Sequence, residues 1–248
     1  MQRNIRLTIS YDGTEYHGFQ SQSYTDRTIQ GQLEQALLRL TNEETSVHGS
    51  GRTDAGVHAK GQVVNFLTIS RIPEERWVLA LNSILPDDIV VIDARDVSQD
   101  FDARKCAKRK TYRYTINNNR IPDALQQRYQ YHVPLPLVRE SMEQALLLLI
   151  GEHDFTSFCS VKSTKHSHVR TIYDVRLEAT EDGLYHIYVT GNGFLYNMVR
   201  IIAGTVIEVG LKKRTVDEFR ELLQMKDRTK GGITAPARGL VLWEVAYE

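Results

Sequence analysis

The stretch Gly49-Ser50-Gly51-Arg52-Thr53-Asp54-Ala55-Gly56-Val57-His58-Ala59 carries the densest chemistry in the chain, with three glycines and one aspartate inside eight residues. Glycines at this density let a backbone turn sharply and let another molecule come close. Arg52 and Asp54 are two apart, so in an extended loop they point the same way. A carboxylate held there beside a guanidinium is a candidate nucleophile or general base. The same composition suits a hairpin in which Asp54 only caps its own backbone, and spacing alone leaves both roles open. His58 is a candidate acid or base by position, although a structural histidine is the more ordinary reading.

Other stretches carry less. Tyr11-Asp12-Gly13-Thr14 resembles a phosphotransfer loop, but that chemistry needs an aspartate where Ser10 stands. His166 and His168 share a face of an extended segment, and two histidines without a third ligand do not make a metal site. Cys106 and Cys159 have neither metal spacing nor partners for a disulfide framework, which fits a reducing cytosol. No constellation here has the ligand count of a metal site.

Lys+Arg and Asp+Glu balance at 31 each, so any nucleic-acid site must be a local patch. Three basic clusters exist. Lys108, Lys110 and Arg113, with Arg104, Lys105 and Arg109, surround Tyr112 and Tyr114. Lys162, Lys165, His166, His168 and Arg170 form the second, and Lys212-Lys213-Arg214 the third. Cations for phosphates and rings for bases suit an RNA strand, while a solvated helix end explains most charge runs. Lys108, Lys110 and Arg113 are the candidate backbone contacts, and the third cluster is read as a solvated helix end.

These residues must be positioned by something. With 248 residues, 41% hydrophobic and 25% charged, the chain suits one large or two small domains of a soluble protein. No apolar leader opens it, and the apolar run 145–150 is too short to span a bilayer. Ile5, Leu7 and Ile9 alternate as a strand. Thr28 opens a helix with Leu33, Ala36, Leu37 and Leu40 at helical spacing. Strands are expected from Val47 and over 62–68, a helix from Pro73 to Leu85, and a strand over 89–94. That β-α-β-β-α-β order is the split unit of ferredoxin-like domains. The second half repeats a mixed pattern: strand 111–116, helix 138–149, strands 169–179 and 185–190, helices 197–209 and 216–223, strand 241–245. The expected division is 1–103 and 104–248.

Motifs along the whole chain then resemble the TruA family of tRNA pseudouridine synthases. They are Tyr11-Asp12-Gly13-Thr14-x-Tyr16-x-Gly18-Phe19-Gln20, the Asp54 stretch, Phe101-Asp102-Ala103-Arg104, Tyr112-Arg113-Tyr114, Gly151-Glu152-His153-Asp154-Phe155, Gly193-Phe194-Leu195-Tyr196-Asn197-Met198-Val199-Arg200 and Thr234-Ala235-Pro236-Ala237-x-Gly239-Leu240. One departure is Phe19, where the family often has Trp. The resemblance implies an α+β pseudouridine synthase fold: two ferredoxin-like (RRM-like) halves sharing a central, mostly antiparallel sheet, with a cleft between them. It implies a homodimer acting on tRNA, isomerising uridines at positions 38 to 40 of the anticodon arm without a metal or organic cofactor. Asp54 would be the essential carboxylate and Arg200 its basic partner. Tyr112 would pack on the uracil, placed to take the C5 proton, and Leu240 would wall the base. Arg52 would fill the space of the extruded nucleotide or grip its phosphate. Attack at C1′, addition at C6 and a glycal route all stay open. Two other classes remain: a catalytically inert RNA-binding protein, and a nucleoside or glycoside hydrolase. The latter normally needs a second carboxylate, which the loop does not offer.

Overall fold

The computed structural model describes residues 2–163 and 166–248, so Lys165 of the second basic cluster lies outside the described residues. The chain divides into two compact units, Met1–Lys108 with Leu242–Glu248, and Arg109–Val241.

The first unit follows from a few patterned segments. Strand β1 (Arg3–Tyr11) buries Ile5, Leu7 and Ile9 completely, as alternation predicts. Helix α1 (Ile29–Thr41) starts where the Thr28 hydroxyl accepts the Gly31 N–H at 3.2 Å, and stops at Asn42, whose φ of 57° is left-handed. Strand β2 (His48–Gly49) is only a stub before the glycine-rich loop, and β3 (His58–Thr68) follows it. The helix expected over 73–85 is shorter: a 3₁₀ turn at Glu74–Arg76 runs into α2 (Trp77–Asn82). Asn82 turns its amide to the Val91 backbone at 2.8 and 2.9 Å, and Pro86 rules out continuation soon after. Strand β4 (Ile89–Val97) completes the set. The order β4-β1-β3, with β2 on β3, is antiparallel throughout and is that of a ferredoxin-like half. Phe66 of β3 meets Trp77 edge-on at 5.4 Å inside its core.

The second unit opens with β5 (Arg109–Asn117), whose end is flanked by the parallel stub β6 (Tyr131–His132). Helix α3 (Arg139–Leu147) leads to β7 (Gly151–Asp154), β8 (Val169–Ala179) and β9 (Leu184–Gly191). The order β5-β9-β8-β7 is antiparallel at each step. Helix α4 (Met198–Gly210) is apolar almost all round and is the buried helix of this unit. Helix α5 (Val216–Met225) carries a full capping box between Thr215 and Glu218. Phe155, Phe158 and Phe219 fill the space beneath the helices, with Phe158 and Phe219 5.5 Å apart.

The last strand, β10 (Leu240–Ala246), begins in the second unit and from Leu242 belongs to the first. There the Tyr247 hydroxyl donates to the Ala103 carbonyl at 2.7 Å, the Lys108 N–H to Ala246 at 2.9 Å, and Lys60 covers the Trp243 ring. The chain is mixed α+β, with mostly antiparallel strands.

Candidate active site

Asp54 is half-buried on an irregular turn between β2 and β3. Its own carbonyl accepts the Val57 N–H at 3.1 Å, closing the turn through Gly56. Buried polar side chains fix the loop from below. Gln62 of β3, with no exposed surface, accepts from the Ser50 hydroxyl at 2.6 Å and donates to the Gly51 carbonyl at 2.9 Å. The Tyr11 and Thr53 hydroxyls are hydrogen-bonded at 2.8 Å, and burial pushes the Tyr11 phenol up to about 12. The neutral phenol is therefore the group that anchors Thr53, the residue before Asp54.

A second set of contacts fixes the loop from the side. Thr53 accepts the Phe19 N–H at 3.0 Å, and Tyr16 accepts the Gly56 N–H at 3.3 Å. Gly18, at φ +96°, passes so close that a Cβ there would lie 2.8 Å from the Thr53 carbonyl oxygen. A Cβ on Gly13 would stand 2.0 Å from the Val57 carbonyl oxygen. Phe19 is buried and packs on Gly49, so the ring that departs from the usual Trp fills the foot of the loop. His58 Nδ1 lies 3.0 Å from the Gly13 N–H and 3.1 Å from Asp12 Oδ1. One ring nitrogen cannot serve both as acceptor and donor. The backbone N–H can only donate, so Nδ1 accepts and the neutral ring carries its proton on Nε2. Asp12 Oδ1 is meanwhile held by the Thr14 N–H and hydroxyl, at 2.9 and 2.6 Å. A carboxylate on a backbone held this firmly can attack or take a proton without a rearrangement of its support.

In the second unit Tyr112 stands on β5, Arg200 on α4 and Leu240 at the start of β10. Tyr112 of β5 is buried and meets the Phe194 ring edge-on at 5.0 Å. Phe194 opens the loop that enters α4 through Asn197, itself left-handed at φ 60°. Arg200, in the first turn of α4, donates from Nε to the Ala235 carbonyl at 2.8 Å and from Nη1 to Asn197 Oδ1 at 2.9 Å. These two bonds fix the direction of the guanidinium. The Ala235 N–H returns to the Arg200 carbonyl at 3.1 Å, and the Tyr114 hydroxyl donates to Pro236 at 2.9 Å. Burial keeps the Tyr114 phenol protonated well beyond its ordinary range. Leu240 follows directly, 5% exposed.

The basic candidates are more dispersed. Arg52, Lys108 and Lys162 are exposed, and Lys110 is half-buried. Strand alternation puts Arg113 on the face of β5 opposite Lys110 and Tyr112, across from Tyr188 in register. His168 Nδ1 is 2.9 Å from the Thr156 hydroxyl. Lys212 and Lys213 are exposed where α4 ends, their backbone N–H groups closing on Val209 and Glu208. Among the described residues no group of three or more His, Cys, Asp or Glu is placed to hold a metal ion, and no helix is long and apolar enough to cross a membrane.

Comparison with known proteins adds the family. The sequence matches the family described as tRNA pseudouridine synthase over residues 7–105 and 145–248. It is 50% identical over 245 residues to tRNA pseudouridine synthase A of Brevibacillus brevis (strain 47 / JCM 6285 / NBRC 100599), covering 99% of this chain and 100% of that one. The protein of the same name from Bacillus subtilis (strain 168) is 47% identical over 246 residues, covering 98% and 99%. The chain belongs to the tRNA pseudouridine synthase family. Arg52, Asp54, Arg200 and Leu240 fall inside the matched residues, whereas Lys108, Lys110, Tyr112 and Arg113 fall in the stretch 106–144 between them. Sequence reasoning did not single out Tyr11 and Gln62 as supports of this synthase's Asp54 loop, nor Asn197 and Ala235 as supports of Arg200. Gln62 did leave a trace: it is a polar residue at the head of the apolar run that follows the loop.

Proposed function

We propose that this chain isomerises uridine to pseudouridine in tRNA, with Asp54 as the essential carboxylate. Membership of the synthase family along nearly the whole chain carries the reading. The firmly held loop beneath Asp54 supports the choice of that residue. The reaction breaks the N1–C1′ bond, turns the base and rejoins it through C5, which loses its proton. Asp54 is the nucleophile, Arg200 a cation of the site, and Tyr112 the ring that packs on uracil and takes the C5 proton. Leu240 walls the base, and Arg52 holds the space or phosphate of the extruded nucleotide. Lys108, Lys110 and Arg113 bind the RNA backbone. The functional halves are 1–103, carrying the carboxylate, and 104–248, carrying Tyr112, Arg200 and Leu240. The targets are uridines 38 to 40 of the anticodon arm. The working form is a cytoplasmic homodimer that needs no metal.

Incubation with unmodified tRNA transcript carrying C5-tritiated uridine tests this. Tritium release with pseudouridine at positions 38 to 40 is the expected result. Free uracil would mean hydrolysis, and tRNA binding without either product would mean an inert binder.

A further inference from the structure

The second unit holds a cavity of about 220 Å³ that the roles proposed above leave unused. Its hydrogen-bonding wall is Asn117, Asp123, Gln127, Gln130, His132 and Arg238. Five of these come from the stretch outside the family match, and Arg238 comes from the segment that holds Arg200 and ends at Leu240.

Gln130 is 5% exposed and lines the cavity, and its amide makes no hydrogen bond among the described residues. It is not one of the buried side-chain atoms left without a partner, so solvent in the cavity meets it, and a ligand entering there takes that place. Asn117, 2% exposed, uses Oδ1 to accept the Asn119 N–H at 2.9 Å and has its Nδ2 to offer. His132 Nε2 lies 2.8 Å from the Asn119 carbonyl, so it must donate, and Nδ1 of the neutral ring is an acceptor. Asp123 accepts the Leu125 N–H with one oxygen. The cavity thus presents donors and acceptors side by side, with a guanidinium on its exposed rim.

Few ligand classes fit that wall. An apolar group would leave Gln130 unpaired. A bare anion would face Asp123, and a divalent cation would find one carboxylate beside an arginine. A nucleobase edge alternates donors and acceptors as an amide does, and its phosphate suits an arginine. We propose that this cavity binds a nucleobase with its phosphate, a recognition point separate from the target uridine. It rests on the tRNA-modifying function proposed above, and Arg238, two residues before Leu240, ties it to a base of the substrate.

The test uses the full chain and an unmodified tRNA transcript. Gln130→Met keeps the length of the side chain and removes donor and acceptor together. The variant is expected to melt no lower than wild type, because the amide has no protein partner. Its KM for tRNA should rise about tenfold at unchanged kcat. Arg238→Gln, on the rim, should raise KM as well and flatten the salt dependence of binding by about one contact. Titration with the four nucleoside 5′-monophosphates separates the sources. Unchanged KM in both variants, with a monophosphate that binds wild type and not Gln130→Met, keeps the site and makes its ligand a free nucleotide. Unchanged KM with no monophosphate bound makes it hydrated space and overturns the proposal. So does a lowered melting temperature in Gln130→Met with unchanged KM in Arg238→Gln. Should the wild type fail to isomerise uridine, tRNA affinities of the same variants still read the cavity, so the two ideas fail separately.

Discussion

Asp54→Asn should abolish turnover, by roughly 10³-fold or more, while tRNA affinity and melting temperature stay close to wild type. The amide keeps the shape of the loop and removes its charge; turnover within tenfold of wild type would end the nucleophile assignment. Gln62→Leu tests the support beneath it. The substitution strands the Ser50 hydroxyl and the Gly51 carbonyl in a buried site, which costs about 1–3 kcal/mol. Turnover should fall further than that loss of stability explains, and kcat measured well below the melting temperature checks it. A kcat within twofold of wild type would show that the loop holds without this bridge. Asp54 stands out in the sequence because glycines frame it. Gln62 does not, because it reaches back across the turn to Ser50 and Gly51, which only the fold brings within reach of its amide.

At the level of elements, close approach of the Gly13 turn to the Asp54 loop is the feature to test. Gly13→Ala would drive a Cβ into the Val57 carbonyl, at a cost of about 3 kcal/mol, and should lower kcat at least tenfold by shifting the turn after Asp54. A purely thermal effect with unchanged kcat would mean that the turn and the loop move independently. Thr215→Ala is the companion control. It removes the α5 capping box for about 1 kcal/mol and should leave turnover unchanged. The elements themselves were readable where local signals agree, as with the alternation of Ile5, Leu7 and Ile9 or the Thr28 cap of α1. They were misread where a side chain bonds outside its own element. Asn82, a weak helix former, ties its amide to the Val91 backbone and is the last residue of α2, so the helix ends early. The stubs β2 and β6 are too short to show any period.

Across the whole molecule, Tyr11, Tyr16, Tyr114 and Tyr247 all have phenols raised by burial. A phenol raised in the folded state contributes fully below the unfolded value near 10, and its contribution is lost as pH climbs through the folded one. For Tyr11, raised from 10.0 to about 12, this is worth about 3 kcal/mol. Stability should fall between pH 10 and 12, and Tyr11→Phe should make that fall shallower in urea titrations across the range. In RNA binding, neutralising Lys108, Lys110 and Arg113 together should flatten the log–log salt slope by roughly one to three contacts, at about 0.7–0.9 each. Lys212/Lys213 variants should not change it; the reverse pattern would put the RNA on another face. The first unit takes its closing residues, Leu242–Glu248, from the far end of the chain. A ribosome that has made residues 1–108 therefore releases a unit still lacking the strand that carries Trp243 and the Tyr247 latch on Ala103. That half waits through synthesis of the whole second unit, holding its Asp54 loop in an unfinished frame. Nascent chains arrested before Leu242 should stay protease-sensitive in their first 108 residues, and those arrested after the last strand has cleared the exit tunnel should not.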